Sequence, residues 1–201
     1  MSNTEMTAKI ETIKAAIAAR CANVIADIES RKAKTVQFLF HFKRLQNEEL
    51  IAGLVEKFDF IDADFFAFVD QFKSKYDSRA QREYLAVYAI EKAIDMLYCC
   101  AGMSKKVDNY TRAIVTNARA FPDKAIDYDL CTASLTHAVN VHDAETLKTR
   151  LHKADTTAST QKSSTKSALI ALRAGSYDAT SRRLSLDTKS ALFRALVKQA
   201  F

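Results

Sequence analysis

The chain has 201 residues, of which 48% are hydrophobic and 27% charged, and its 30 Lys and Arg against 24 Asp and Glu give a net charge of +6. These are ordinary globular values that exclude wholesale disorder, and no apolar run approaches the roughly 18 residues that span a bilayer. Three glycines and one proline are too few turn residues for many short strands, so the expected fold is all-α: a multi-helix bundle followed by a small basic C-terminal helical unit.

The opening stretch, MSNTEMTAKIETIK, is polar and charged where a secretory signal would be apolar, which leads us to expect a cytoplasmic protein. Residues 4–32 then carry Ile10, Ile13, Ile17, Cys21, Val24 and Ile28 at steps of three and four, one face of a long helix. Because Ile10, Ile17 and Val24 are a heptad apart, this helix is a candidate to pair with a second copy or a protein partner.

VQFLFHFKRL, residues 36–45, alternates Val36, Phe38, Phe40 and Phe42 as a half-buried strand would, but Phe38, Phe42 and Leu45 also fit a helix, and the context favours helix. Asn47 is placed to cap the helix holding Leu50, Ile51, Leu54 and Val55, with Glu48 and Glu49 in its first turn. Nine of the twelve phenylalanines fall between Phe38 and Phe72, which marks the core, with Phe65, Phe68, Val69, Phe72 and Tyr76 at helical spacing. Ser78 and Gln81 form a capping-box pattern ahead of Val87, Ile90, Ile94, Leu97 and Ala101, closed by Gly102. Val107, Tyr110, Ile114, Ala118 and Phe121 repeat the scheme up to Pro122. Shorter helices are expected near Leu130 to Val141 and Ala144 to Ala154.

DTTASTQKSST, residues 155–165, reads as a polar linker, because serine and threonine compete with a helix for backbone hydrogen bonds. The expected organisation is a helical bundle over 1–154, this linker, and a basic helical unit over 166–201. Charge follows the same division: residues 144–201 hold 11 Lys and Arg against 4 Asp and Glu, a net of +7, whereas residues 1–143 hold 19 against 20. A basic end on a neutral body is what attraction to phosphate requires.

Catalytic chemistry finds no signature. There is no G-x-S-x-G elbow and no glycine-rich phosphate loop, so no enzyme class, cofactor or metal is assigned. Asp59, Asp62 and Asp64 lack the glycine and bidentate glutamate of a calcium loop, and helix capping by Asp62 accounts for them. Cys131, His137 and His142 lack the spacing of a zinc site, and His41 reads as a core or rim histidine. Cys21, Cys99, Cys100 and Cys131 show no paired spacing, which fits reduced, buried thiols. Arg182 to Ser185 matches what basophilic kinases accept.

The stretch KSALIALRAGSYDATSRRLSLDTKSALFRALVKQ, residues 166–199, resembles a helix-turn-helix DNA-binding unit: a first helix over Ser167 to Arg173, a turn at Gly175, then RRLSL leading into a last helix that Asp187 would cap. The apolar stripe of that last helix, Leu192, Phe193, Leu196, Val197 and Ala200, is offset by one residue from the family's register. Opposite the stripe, Ser190, Arg194 and Lys198 share an edge at i, i+4 and i+8. The expected nucleic-acid contacts, to DNA or RNA, are therefore Arg182, Arg183, Lys189, Ser190, Arg194 and Lys198, with Lys162 and Lys166 as secondary choices. The resulting expectation is a nucleic-acid-binding regulatory or accessory protein. The alternative is a helical structural or protein-interaction protein, for example a phage or bacterial assembly component.

Overall fold

The computed structural model describes residues 2–30, 36–72, 87–104, 107–120, 125–127 and 156–200. Helix α1 (Asn3–Ser30) opens with a capping box, in which the Glu5 amide donates to Ser2 Oγ at 3.3 Å and the Ser2 amide donates back to Glu5 Oε2 at 2.7 Å. The backbone bond from Ser2, with the Ser2 hydroxyl behind it, holds the Glu5 carboxyl below its ordinary range. The residues that α1 buries are the six of the expected stripe. Ile10, Ile17 and Val24 thus pack into the chain's own core, which occupies the face that the heptad spacing offered to a partner.

Helix α2 (Val36–Leu45) settles the alternating passage. Phe38, Phe42 and Leu45 are buried while Phe40 is 62% exposed, the pattern of a helix and not of a strand. Helix α3 (Glu48–Lys57) begins where Asn47 Oδ1 accepts the Leu50 amide at 3.1 Å. Asp62 Oδ1 likewise accepts the Phe65 amide at 2.8 Å, ahead of a 3₁₀ helix over Asp64–Gln71. With three residues per turn, Phe65 aligns with Phe68 and Phe66 with Val69, so all four are buried, one more phenylalanine than α-helical spacing predicts. Phe42 stacks on Phe72 at 5.5 Å, which joins α2 to this segment. Tyr76, Ser78 and Gln81 lie outside the described residues.

Helix α4 (Val87–Ala101) is apolar on almost every face, with Ile90, Ala93, Ile94, Met96, Leu97 and Cys100 all buried, and it is accordingly the element around which the others assemble. Gly102, at φ +82°, ends it. The Gly102 amide donates to the Cys99 carbonyl and the Met103 amide to the Tyr98 carbonyl, each at 2.9 Å, a Schellman closure. The Lys57 ammonium also donates to the Ala101 carbonyl at 2.6 Å, a cation at the negative end of the helix dipole. Burial pushes the thiols of Cys21 and Cys100 up to about 12, so both are inert core groups; Cys131 lies outside the described residues.

Helix α5 (Asn109–Ala120) is capped by Asp108, whose carboxylate accepts the Tyr110 and Thr111 amides at 3.0 and 3.1 Å and the ammonium of Lys92 from α4. Burial alone would raise this carboxyl, but the bonds from Lys92 and Thr111 outweigh it and hold the group below the usual aspartate range. Phe121, Pro122, the helices expected near Leu130 to Val141 and Ala144 to Ala154, and His137 and His142 all fall outside the described residues.

The C-terminal region departs from expectation in two ways. First, a helix, α6 (Thr156–Ala171), runs through the stretch read as a linker. Its inner side presents Ser164, Thr165, Ala168 and Leu169, all buried, and packs along α4. Small side chains let the two helices approach closely, and this packing supplies the stability that serine and threonine propensity does not. Leu172, Leu184, Leu192, Phe193 and Leu196 belong to the same buried cluster as the stripe of α1.

Second, RLSL, residues 183–186, is a strand. After α1 to α6 the chain forms β2 (Gly175–Asp178) and β3 (Arg183–Leu186), an antiparallel hairpin whose third partner is β1 (Ile126–Asp127), in the order β1-β3-β2. A helix-turn-helix would place a second helix here. Gly175 explains part of the difference, since a Cβ at that position would lie 2.5 Å from the Ser185 carbonyl oxygen, and the close strand pairing needs its absence. Asp178 supports the turn by accepting the Thr180 amide and the Ser181 hydroxyl, at 2.9 and 2.6 Å. The last helix, α7 (Ala191–Ala200), buries Leu192, Phe193 and Leu196 as the sequence stripe predicts. The described chain is mostly helical with this one small sheet, in keeping with an all-α class.

Candidate functional site

Along α7 two ridges at four-residue spacing lie side by side. One is apolar, Phe193 and Val197, and the next is cationic, Arg194 and Lys198. Both line a cleft of about 490 Å³, which Thr188 and Lys189 close at the entry to α7. The opposite wall is Arg119, in the last turn of α5, where the helix dipole favours a cation. Four exposed cations, Arg119 on α5, Lys189 just before α7 and Arg194 and Lys198 on it, thus line one cleft together with Val197 and the edge of Phe193.

Among the described residues, none of Arg119, Lys189, Arg194 and Lys198 forms an ion pair; the described pairs all involve other residues. The nearby carboxylate of Asp187 accepts the backbone amide of Lys189 at 3.1 Å. Chemically, the arrangement offers charge-assisted donors at the rim and apolar contact at the base, and the two arginines can each grip an anionic oxygen pair in a bidentate manner.

The residues singled out in the sequence divide into three groups. Lys189, Arg194 and Lys198 line the cleft. Ser190 is committed elsewhere: its oxygen accepts the Phe193 amide at 3.2 Å and its hydroxyl donates to the Asp187 carbonyl at 2.8 Å, so Ser190, and not Asp187, caps α7. Arg182 and Arg183 sit at the turn and the start of β3, away from the lining residues. Arg182 adopts φ +55° there, and Arg183 stands in register with Asp178 on β2 and Asp127 on β1. Of the secondary choices, the Lys166 ammonium lies 3.8 Å from the centre of the Tyr177 ring, and the side chain of Lys162 is outside the described residues.

Arg119 is the residue that sequence reasoning missed. Its position at the end of a helix stopped by Pro122 was legible, but only the packing of α5 against α7 brings it to the basic segment. Other candidate chemistry has a structural explanation. Asp62 caps the 3₁₀ helix, Asp64 and Asp70 pair with Arg20, and among the described residues no cluster of His, Cys, Asp and Glu could hold a metal ion. His41 is buried with Nδ1 unpartnered; burial lowers its pKa, so it is held neutral in the core. Among the described residues no helix is long and apolar enough to cross a membrane.

Comparison with protein-family models, with characterised protein sequences and with solved structures gives no match for this chain. The class it presents is a mostly helical protein with a cationic cleft between the ends of two helices.

Proposed function

We propose that this protein binds nucleic acid through the cleft between α5 and α7, as a regulatory or accessory factor. The observation that carries the reading is the convergence of Arg119, Lys189, Arg194 and Lys198 on one cleft with no ion pair among the described residues. Gathering like charges costs self-repulsion, and phosphates are the ligand groups that relieve it, with counterion release as the gain. The surrounding charge agrees: residues 156–200 carry 8 Lys and Arg against Asp178 and Asp187, 8 − 2 = +6.

Binding is tested by fluorescence anisotropy of the full chain with labelled oligonucleotides over a salt series. Four phosphate contacts to a single strand give a slope of log Kobs against log salt of about −3, so a fourfold rise in salt weakens binding by about fifty-fold. Reversal of Arg119, Arg194 and Lys198 to Glu is expected to abolish binding while the circular dichroism spectrum stays that of the native chain, since all three side chains are exposed. Absence of binding by the native chain at low salt, or binding indifferent to the reversals, overturns the reading.

A further inference from the structure

Resting on the nucleic-acid reading of the cleft, we infer that its ligand is a single strand and not a duplex, with one nucleotide lodged between α5 and α7. The base lies against Val197, and the flanking phosphates are held by Arg119 of α5 and by Lys189, Arg194 and Lys198 at and along α7, all of which line the cleft.

Three features of the site carry this. The first is shape. A helix that reads duplex DNA projects into a major groove about 12 Å wide and presents its polar face outward without a facing wall. Here Arg119 of α5 lines the same open cleft as the cationic ridge of α7, so the cations come from two elements around a depression and not from the outward face of one helix. The second is size. A volume of about 490 Å³ is about 8 Å across if equant, which falls within the range of small-ligand pockets and is ample for a mononucleotide unit. A duplex could touch only the rim, and Arg119 and Arg194 could not then act on the same phosphate group.

The third is the floor. Phosphates alone need no apolar surface, yet the half-buried Val197 lines the cleft among the cations, one turn along α7 from Phe193, whose ring is 3% exposed and packs in the core. Single-strand binders pair a basic track with apolar or aromatic contact to unstacked bases, and a base inside a duplex is not available for that contact. Base identity would be read weakly, because the described lining holds a single neutral polar side chain, Thr188, to discriminate hydrogen-bonding edges.

The test uses the full chain and two probes over one salt series: a labelled 20-nucleotide thymidine strand, and the same strand annealed to its complement. The single strand is expected to bind about tenfold more tightly than the duplex. Val197→Asn, which puts an amide on the floor, should erase most of that preference while duplex affinity is unchanged. Arg119→Gln, at an exposed position, guards against a floor variant that misfolds. It is expected to weaken single-strand binding about fivefold and to reduce the salt slope by about 0.7. Equal or tighter binding of the duplex, or a preference that survives both variants, overturns this inference and leaves nucleic-acid binding standing. Failure of the native chain to bind either probe overturns both.

Discussion

Around α1 to α5 four cations are matched to carboxylates, whereas the four at the cleft have no ion pair among the described residues. Arg20 pairs with Asp64 and Asp70, Arg44 with Asp95 at 2.6 Å, Lys14 with Glu11 and Glu48, and Lys92 with Asp108. Arg119, Lys189, Arg194 and Lys198 share one cleft with no ion pair among the described residues. The difference separates two uses of the same side chains. A paired cation holds elements together: Arg44 joins α2 to α4, and Lys92 joins α4 to the cap of α5. A group of cations without ion pairs repels itself, offset in part where Arg119 and Lys198 sit in the last turns of their helices, and it is the part of the molecule most able to attract an anionic ligand.

The largest expected effect comes from breaking the matched side. Lys92 is 5% exposed, and Asp108 is both its counter-ion and the N-cap of α5. Asp108→Ala leaves a buried ammonium alone and uncaps the helix, a loss of about 3–4 kcal/mol read by urea denaturation. Arg194→Glu, on the unmatched side, should change stability by less than about 0.5 kcal/mol. Comparable losses for the two variants would remove the distinction. The pH dependence runs in a stated direction. The Asp108 carboxyl is lowered in the folded state, so its contribution is complete above the ordinary aspartate value of 3.8 and disappears as pH falls through the lower folded value.

His41 gives a smaller effect on the same side of the comparison. Burial disfavours its charged form, and Glu91 and Asp95 offset this only partly, which leaves the folded pKa below 6.5. The unfolded chain then binds more protons than the folded one just below pH 6.5, so stability is full above that pH and declines as pH falls through it. One proton limits the slope to about 1.4 kcal/mol per pH unit. His41→Phe should flatten the stability profile between pH 5 and 7, and an unchanged slope would show that His41 is not the group responsible.

Much of the matched body was legible in the sequence, because its signals are local. The stripe of α1, the Asn47 cap and the Gly102 closure each depend on spacing within one element. What was not legible depends on contact between distant segments. Helix α6 forms because α4 offers it an apolar partner, although its own serines and threonines point to a linker. RRLSL reads equally well as a helix end or a strand, and pairing with Gly175 to Asp178 decides it. For the site the same rule holds: Lys189, Arg194 and Lys198 follow from the face of one helix, but Arg119 is 70 residues from Lys189 and only the fold joins them (189 − 119 = 70).

The hairpin arginines allow the finest division between matched and unmatched charge. By sequence, Arg182 and Arg183 rank with Arg194, since all three lie in the most basic part of the chain. The strand register puts Arg183 opposite Asp178 of β2, and residues directly opposite in an antiparallel sheet share a face. That neighbouring carboxylate offsets the charge of Arg183 in part without an ion pair among the described residues, and Arg183 is not among the residues that line the cleft. Arg183→Gln should therefore weaken binding to a single strand by less than about twofold and leave the salt slope within experimental scatter. Arg194→Gln should cost about fivefold and a slope change of about 0.7. If the two variants weakened binding equally, the footprint would extend along the sheet from the cleft to the hairpin turn, and Asp178→Asn, by releasing Arg183 from a neighbouring carboxylate, would then tighten binding where a cleft-only footprint leaves it unchanged.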